Sequence, residues 1–598
     1  MHLSRRHPAT LAVAFLSATI FVHAAAMGVP LVRAGDRPSP QGWGHLAAAV
    51  AEPIGDTLTV IQRPLLNIPA FVLPGGSFTI SCEAPTGTTE WTAELIHGAR
   101  HVPLGVTGAV YEPSTLWWRL TAALPAEVPS ELYDLRVTAA RGISDVTKHA
   151  VKVLQTYRTG YYFIQITDPH LPTHRFYDDP GADTDSSAIV DLRAVIDDVN
   201  IINPEFVLMT GDLVNEGELE DYDQYRYFSK AQRVLGEFQV PIFLTSGNHD
   251  IGGWDATPPR DGTARRNWWR FFGWRRLDDP PEGAPARTQD YSFDYGPIHY
   301  VGLEAYINYD RWRSQDYGQQ SFTSGQLQWL SADLAGAGNA SKVLFYHDDF
   351  SNQLNLSNLG VAMALWGHIH HDSGSLTTMP YNLATGATVD GQRTYRVVRV
   401  DSGTLTPLAS VSAGAGGGKL QVSFSPANDG VHDSVSAVVT NSLPIRFENA
   451  RLRFLMPKLT GEIRVTGGIL LQTDDSGAVL VCNVGLDLRP NATQTVEVTS
   501  TGELPVTALR LAQNLPNPFR TSTVIDYDLP NAGAVELAVF APDGRRVATL
   551  VDEVLPASPR TAVWEGRDNL GSRVPSGTYF YRLVTPDGMR TRRLSLVR

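Results

Sequence analysis

The sequence predicts a multidomain protein in which an α/β core is flanked by β-sandwich modules. Its 598 residues exceed what one hydrophobic core usually holds, since single domains run to roughly 100–200 residues. Between Tyr161 and His370, five apolar runs are separated by helical patterns, which indicates buried strands of a mostly parallel sheet. On both sides of this segment, apolar residues alternate with polar ones between turn sequences, as is typical of β-sandwiches.

The composition indicates a globular, acidic protein. Hydrophobic residues make up 43% of the chain and charged residues 19%, and the formal net charge is -13. Because nucleic acids are bound through clustered lysines and arginines, we expect no nucleic-acid partner. The two cysteines, Cys82 and Cys482, are expected to be small buried hydrophobic residues, and a disulfide bridge between them is the alternative that the sequence leaves open.

The N-terminus has the pattern of a secretory signal over residues 1–34. Arg5 and Arg6 precede the apolar run LAVAFLSATIFVHAAA, which is too short to span a membrane comfortably and is followed by small residues. We expect cleavage between Ala24 and Ala34. No later segment approaches about 18 uninterrupted apolar residues, so we expect no transmembrane helix in the mature chain and a secreted or cell-surface location.

The rest of the chain divides into a linker and four predicted modules. These are a linker over residues 35–63, an N-terminal β-sandwich over 64–156, the α/β core over 157–410, a second sandwich over 415–502 and a third β module over 507–598. In the first sandwich, Trp117 and Trp118 are expected to be core residues, because aromatic residues in strands are usually packed.

Three helices and two additional strand segments are predicted inside the α/β core. One amphipathic helix ends before Pro204, and two more lie in DYDQYRYFSKAQRVLGEF and LQWLSADLAG, the last behind a capping-box pattern of Thr323 and Gln326. The segments 291–304 and 394–408 are expected to add strands, so that a second sheet packs against the first.

Each of the five apolar runs in the core ends in side chains that can bind a metal ion. Ligands of α/β sheets gather at the carboxyl ends of the strands, so we expect these side chains to converge. Two divalent metals about 3.5–4 Å apart would activate water and clamp a phosphate ester, and such a pair needs a bridging carboxylate, neutral imidazoles and further oxygen donors. The candidate ligands are Asp168, His170, Asp212, Asn248, His347, His368 and His370.

The ordered set TDPH, GDLVNEG, GNHD, a strand-end histidine and GHIH resembles the calcineurin-like metallophosphoesterase superfamily. The resemblance extends from Tyr157 to about Leu408 and implies mixed β-sheets sandwiched by helices. It also implies two divalent or trivalent metal ions, of Mn, Fe or Zn, with Asp212 bridging them. The first ion would be held by Asp168, His170, Asp212 and His370, and the second by Asp212, Asn248, His347 and His368.

The same resemblance gives His249 a role at the substrate rather than at the metals. It would stabilise the phosphoryl oxygens or protonate the leaving oxygen, and Asp250 would orient it.

Purple acid phosphatases carry a tyrosine three residues after the bridging aspartate, where this chain has Asn215, so an iron–tyrosinate centre is not expected. Many relatives have His-x-Pro where this chain has two aspartates after His347. We interpret Asp348 and Asp349 as solvated turn residues, with a place at the edge of the site as the alternative.

Two interpretations of the 251–290 insertion, which carries RRNWWRFFGWRR, remain open. Its arginines are suited to phosphate oxygens and would cap the metals, or its aromatic residues pack on the core while the arginines point outward. His299, in the strand pair that follows, is expected to be packed rather than catalytic.

The end of the chain resembles the Ig-like C-terminal sorting module of type IX secreted bacterial proteins. The residues that carry this resemblance are QNLPNPFR, the turn PDGRRV and the segment WEGRDNLGSRVPSGTYFYRL. It implies an Ig-like fold over residues 507–598 and the export machinery as a partner. The other flanking modules are expected to be Ig-like or fibronectin-like sandwiches.

The sequence therefore predicts a secreted, binuclear, metal-dependent phosphoesterase that acts on a small phosphate ester through a metal-bridging hydroxide. No lysine or arginine lies in the ligand motifs, and Asp348, Asp349 and Asp372 add negative charge, which slightly favours monoanionic phosphodiesters over dianionic monoesters. The alternatives are a phosphomonoesterase resembling acid phosphatases and, of another class, a surface-displayed binding or structural protein with a vestigial metal site.

Overall fold

The structure is a computed structural model that describes residues 58–171, 184–215, 217, 227–251, 263–273, 289–304, 322, 324–414, 420–502 and 508–597. No helix in these ranges is both long and apolar enough to cross a membrane. The signal-like segment 1–34 lies outside the described residues.

The first module is an eight-stranded sheet that folds back on itself. Its long strand β5 pairs with β4 through Arg100–Leu104 and with β6 through Gly105–Glu112, so one strand belongs to both halves of the sheet. Both halves contribute to one core, which includes Leu95 and Leu120. The strand order is β1-β3-β6-β5-β4-β7-β8-β2. The elements are β1 (Ile61–Arg63), β2 (Ala70–Val72), β3 (Ser77–Cys82), β4 (Thr92–His97), β5 (Arg100–Glu112), β6 (Trp117–Ala123), β7 (Leu132–Ala139), a 3-10 turn (Ala140–Gly142) and β8 (Ile143–Val153).

The structure bears on three sequence expectations that involve this module. Strand β1 lies within residues 35–63, the predicted linker, but it belongs to the sheet because Ile61 pairs with Cys82 of β3. Trp118 is half-buried rather than enclosed in the core: its ring lies 5.7 Å from that of Trp91, and its Nε1 donates to the carbonyl of Pro85. Cys82 and Cys482 are both buried and free, so the alternative of a disulfide bridge is wrong.

The α/β core consists of two sheets packed face to face. The first has the order β11-β10-β9-β17-β18, with β19 beside β17, and the second has the order β12-β13-β14-β15-β16. Strands β9 to β11 are parallel, as are β13 to β16. The elements are β9 (Gly160–Ile166), α1 (Thr184–Ile202), β10 (Val207–Thr210), α2 (Tyr227–Leu235), β11 (Ile242–Thr245), α3 (Asn248–Ile251), α4 (Thr263–Phe272), β12 (Tyr291–Tyr295), β13 (Ile298–Gly302), α5 (Ser324–Gly336), β14 (Ser341–Phe345), β15 (Met363–Trp366), β16 (Tyr381–Ala384), β17 (Thr394–Asp401), β18 (Thr404–Pro407) and β19 (Val411–Ser412).

Aromatic side chains fill the space between these two sheets. The ring of Phe243 on β11 stacks on that of Phe293 on β12 with centroids 3.7 Å apart, and Phe163 on β9 meets Tyr300 on β13 edge to face at 5.5 Å. Helix α1 ends ahead of Pro204 as predicted, because Asn203 adopts a φ of 53°. The α/β core and the additional β-sheets that the sequence predicts are confirmed.

The remaining strands form two further pairs of sheets. The first pair has the orders β20-β21-β26-β23 and β22-β25-β24, and the second has β27-β28-β31 and β30-β29-β32-β33. The elements of the first pair are β20 (Leu420–Ser425), β21 (Ser434–Asn441), β22 (Phe447–Met456), β23 (Ile463–Thr466), β24 (Ile469–Asp475), β25 (Leu480–Leu488) and β26 (Ala492–Ser500). Those of the second are β27 (Arg510–Leu511), β28 (Thr523–Leu529), β29 (Gly533–Phe540), β30 (Arg546–Leu555), β31 (Ser558–Trp564), β32 (Gly577–Thr585) and β33 (Gly588–Leu596).

These two pairs differ in how their cores relate to the α/β core. The core of the first pair is continuous with it: the ring of Phe447 meets that of Tyr162 at 5.7 Å, and the backbone N–H of Asn449 donates to the Tyr162 hydroxyl. The second pair has a separate core that includes Trp564 and Tyr581.

A group of buried and partly buried charged side chains joins the first module to the second sandwich. Arg451 Nη1 lies 3.4 Å from Glu131 Oε2, and Arg100 Nη1 lies 3.0 Å from Asp474 Oδ1. His97 Nε2 approaches the other oxygen of Asp474 at 3.6 Å. Burial opposes ionisation of Glu131, but the charges of Arg451, Lys152 and His97 and the backbone N–H of Leu132 together outweigh it, and the pKa of the carboxyl falls to about 2. The two modules are therefore tied together through opposite charges, a contact that the sequence did not predict.

Candidate metal centre

The seven candidate ligands meet where the carboxyl ends of the two core sheets face each other. Parallel strands of one sheet end at the same edge, and here the ends of β9, β10, β11, β14 and β15 surround one cleft. We call Asp168, His170 and His370 the first ligand group, because their ligand atoms lie within 4.8 Å of one another. Asp212, His347 and His368 meet the same criterion. Together with Asn248, whose Oδ1 lies 3.1 Å from His368 Nδ1, they form the second ligand group.

Asp212, a member of the second ligand group, also faces the first. One oxygen of its carboxylate, Oδ2, is 3.7 Å from His170 Nε2 and 2.9 Å from His347 Nε2. The other oxygen, Oδ1, accepts the backbone N–H of His249 at 2.9 Å. The side chain is almost completely buried. A carboxylate that faces imidazoles of both groups has the position that a bridging ligand requires.

The protonation states of the imidazoles also suit metal ions. Burial, assisted by the charge of His249, lowers the pKa of His170 to about 3, so this ring is neutral at pH 7 and keeps a lone pair for a cation. His347 Nδ1 donates to the carbonyl of Thr210 at 2.8 Å, which directs Nε2 toward Asp212. Burial lowers the pKa of His347, but the charge and hydrogen bond of Asp212, the charge of Asp168 and the carbonyl of Thr210 together overcome this effect and raise it to about 10. His347 Nε2 therefore carries a proton when no metal ion is bound, and a metal ion that binds this nitrogen would displace the proton.

The backbone at the ligands is strained. Five of the seven have a positive φ, a region that only a few per cent of non-glycine residues adopt, although Asp and His do so more often than most. They are Asp168 (51°), His170 (44°), Asp212 (51°), His368 (64°) and His370 (57°). The surrounding sheets hold these residues in the left-handed region, and this conformation is part of how side chains from separate loops reach one cleft.

The glycines of the ligand motifs are required by close packing. A Cβ at Gly247 would overlap Asp212 Oδ1, and a Cβ at Gly367 would overlap the side chains of Thr167 and Asp168. At Gly211 the φ of 90° excludes other residues, and a Cβ there would lie 2.6 Å from His347 Nδ1. The glycines in TGD, SGNHD and WGH thus allow neighbouring ligand loops to touch.

His249 lies half-buried beside the first ligand group. Its Nδ1 donates to the carbonyl of Asn215 at 2.6 Å, because a carbonyl oxygen can only accept. The ring centroid is 4.7 Å from that of His170, and a ring nitrogen lies within 4.8 Å of the ligand atoms of His170 and Asp212. Its Nε2 therefore lies on the side of the ring opposite to Asn215.

Asp250 does not orient His249, so this expectation is wrong. Its carboxylate accepts the backbone N–H groups of Leu213 at 3.2 Å, Val214 at 2.9 Å and Gly247 at 2.8 Å. Leu213 and Val214 belong to the loop that carries Asp212, and Gly247 belongs to the loop that carries Asn248. Asp250 therefore fixes the backbone around the candidate bridging carboxylate, and the carbonyl of Asn215 orients His249.

Gln165 is a buried polar residue of the site that the sequence analysis missed. Its Nε2 donates to the carbonyl of Trp366 at 2.8 Å and to Thr210 Oγ1 at 3.2 Å, and its Oε1 accepts from Thr385 Oγ1 at 2.7 Å. It thereby connects the strand that leads to Asp168 with the two strands that precede Asp212 and His368. The signal in the sequence is a lone glutamine inside the apolar run YYFIQIT.

The described part of the 251–290 insertion supports the packing interpretation for its aromatic residues. Trp268, Trp269, Phe271 and Phe272 of α4 are buried, and the ring of Trp268 meets that of Phe228 at 5.9 Å. The side chains of Arg265 and Arg266 lie outside the described residues. His299 is packed as expected, with its ring nitrogens 2.7 Å from Asp294 Oδ1 and 2.8 Å from Asp333 Oδ2.

Comparison with known proteins finds a family model that matches the part of the chain around the site. The family model described as calcineurin-like phosphoesterase matches residues 161–372, which include all seven candidate ligands and His249. The glycerophosphodiester phosphodiesterase GpdQ of Enterobacter lignolyticus is 24% identical over 144 residues, covering 24% of this chain and 41% of that protein. The serine/threonine-protein phosphatase CPPED1 of Bos taurus is 24% identical over 245 residues, covering 36% of this chain and 70% of that protein. A dimetal phosphatase structure from Danio rerio aligns at 14% identity over 42% of this chain and 99% of that one, with a TM-score of 0.31.

The variant Gly247→Ala tests the close packing around Asp212. Its Cβ collides with the carboxylate of Asp212, so we expect affinity for Mn²⁺ to fall about 10- to 100-fold in titration calorimetry, as for other displaced partners of ligands. Gly160→Ala is the matched control, because a Cβ there meets nothing within 4 Å. Wild-type affinity in Gly247→Ala would contradict this account of the motif.

Proposed function

We propose that this chain, whose residues 161–372 form a calcineurin-like phosphoesterase domain, is a secreted, metal-dependent hydrolase of phosphate esters. The observation that carries the proposal is the position of Asp212, whose carboxylate faces His170 of the first ligand group and His347 of the second. Export is supported by the signal-like sequence of residues 1–34 and by the C-terminal resemblance to sorting modules.

The donor set fits two divalent or trivalent ions, of Mn, Fe or Zn. Four imidazoles, two carboxylates and one amide oxygen converge, which is the mixture of ligands that such ions prefer. When bound, a metal pair makes water acidic enough to attack phosphorus and neutralises phosphoryl charge. The first ligand group with Asp212 would hold one ion, and the second ligand group, including Asp212, the other.

We assign to His249 the stabilisation of the phosphoryl oxygens or the protonation of the leaving oxygen. Because its Nδ1 donates to the carbonyl of Asn215, its Nε2 lies on the opposite side of the ring, where we place the substrate. As an imidazolium, it donates that Nε2 proton to a phosphoryl oxygen or to the leaving oxygen. The carbonyl of Asn215 holds the ring in the orientation that this role needs.

The substrate class is assigned to phosphodiesters. A monoester dianion is best held by several positive groups beyond the metals, and the described ligand loops contain no lysine or arginine. The similarity to a protein named a glycerophosphodiester phosphodiesterase supports the same class. The second candidate is a phosphomonoesterase, which the similarity to a protein named a phosphatase favours.

The proposal predicts metal-dependent hydrolysis of bis-p-nitrophenyl phosphate with a higher kcat/KM than for p-nitrophenyl phosphate. Asp212→Ala should lose both ions and the activity together, since a bridging ligand serves both ions. Metal content by mass spectrometry and initial rates are the measurements. Asp401→Ala, at the exposed end of β17, is the control that keeps both. Two ions retained in Asp212→Ala would refute the bridging role. No hydrolysis of either ester with Mn, Fe or Zn would favour a surface-displayed binding protein with a vestigial site.

A second prediction separates catalysis from metal binding. His249→Ala should keep both ions and lose about 10²- to 10⁴-fold in kcat, the usual contribution of a positioned acid. His371→Ala, next to a ligand histidine but exposed, should change neither property. Loss of an ion from His249→Ala would make His249 a ligand instead.

A further inference from the structure

The two carboxylate oxygens of Asp168 have different surroundings. Oδ1 lies 3.5 Å from His370 Nε2, 3.8 Å from His170 Nε2 and 3.9 Å from His347 Nε2, so it faces imidazoles of both ligand groups. Oδ2 accepts the hydroxyl of Thr167 at 2.7 Å. Oδ1 is thus the oxygen that the imidazoles surround, and Oδ2 is the oxygen that the hydroxyl holds.

The hydroxyl of Thr167 lies between the ends of β9 and β10. Thr167 directly precedes Asp168 and is completely buried. A second acceptor, the carbonyl of Thr210, lies 3.2 Å from Thr167 Oγ1 and also accepts from His347 Nδ1. A hydroxyl has one hydrogen, and hydrogen bonds to ionised acceptors are roughly twice as strong as bonds to neutral ones. The contact with the carboxylate of Asp168 therefore prevails.

The loop that follows β15 closes over the same hydroxyl. A Cβ at Gly367 would overlap both Thr167 Oγ1 and Asp168 Oδ2. The backbone N–H of His368 also donates to this carboxylate, at 3.0 Å from Oδ2 and 3.2 Å from Oδ1. Oδ2 is therefore enclosed by the hydroxyl and by the backbone of this loop, whereas Oδ1 points to the cleft.

We propose that Thr167 is a positioning residue of the metal centre, whose hydroxyl holds Oδ2 of Asp168 and so presents Oδ1 alone to the ion of the first ligand group. The inference rests on the proposed function, because it concerns a ligand of the proposed metal pair. Ligating carboxylates depend on hydrogen bonds for their orientation, and removal of such a partner typically costs about 10- to 100-fold in metal affinity. Without the hydroxyl, the ion itself has to fix the rotation of the carboxylate, which weakens binding.

Titration calorimetry with Mn²⁺ on the full-length protein tests this role through substitutions at one position. Thr167→Val nearly keeps the shape of the side chain but removes the hydroxyl, so we expect the affinity for one of the two ions to fall about 10- to 100-fold. Thr167→Ala also lacks the hydroxyl, needs less space beside Gly367 and should show the same loss. Thr167→Ser keeps the hydroxyl and should bind both ions as wild type does.

The matched control is Thr388→Val. The hydroxyl of Thr388 is also completely buried, but it has no hydrogen-bond partner among the described residues, so its removal should leave both affinities unchanged. Unchanged affinities in Thr167→Val and Thr167→Ala would overturn the proposal. So would an equal loss for both ions, an equal loss in Thr388→Val, or a Thr167→Ser variant that binds as weakly as Thr167→Ala.

Crystals of Thr167→Ala identify the ion that is weakened. At a Mn²⁺ concentration between the two dissociation constants of the variant, the anomalous peak beside His347 should remain and the peak beside His370 should be lost. The opposite result would contradict the role of Thr167. A wild-type protein that binds two ions but hydrolyses neither p-nitrophenyl ester refutes the proposed function and leaves the comparison of affinities valid. Equal affinities in wild type and variants, with an active wild type, refute only the role of Thr167.

Discussion

The carboxylate of Asp212 is nearly inaccessible to solvent and faces imidazoles from both ligand groups, and much of the cleft is arranged to keep it there. A buried carboxylate is costly unless positive charge or hydrogen-bond donors surround it. Here His347 lies 2.9 Å from one oxygen and the backbone N–H of His249 donates to the other. Because burial alone would raise the pKa of Asp212, the charges of His347 and His249 are what hold it well below its ordinary value.

Residues that are not ligands also fix the backbone around Asp212. Asp250 accepts three backbone N–H groups from the loops around Asp212, and Gly247 allows one of these loops to touch the Asp212 carboxylate. Gln165 connects the strands behind the loops. Strained ligand conformations persist only where such surroundings over-determine them. The strand ends therefore supply the ligands, and the buried side chains of Asp250 and Gln165 behind them fix the positions of the ligand loops.

The candidate site could be found from the sequence because its signal is local: each ligand directly follows an apolar run. The roles of Asp250 and Gln165 could not be found in this way, since their partners are distant in sequence and only the fold brings them together. The same holds for the charges that join Glu131 to Arg451, which are 320 positions apart. It also holds for β5, whose two halves pair with different neighbours. Alternating patterns predict strands but carry no information about which strands pair.

If Asp212 is shared by two metal ions, an anomalous difference map from crystals of the Mn²⁺-loaded protein should show two peaks about 3.5–4 Å apart. Each peak should lie within bonding distance of an Asp212 carboxylate oxygen, with one peak beside the first ligand group and the other beside the rest of the second. A single peak, or two peaks of which only one contacts Asp212, would mean that the carboxylate is not shared.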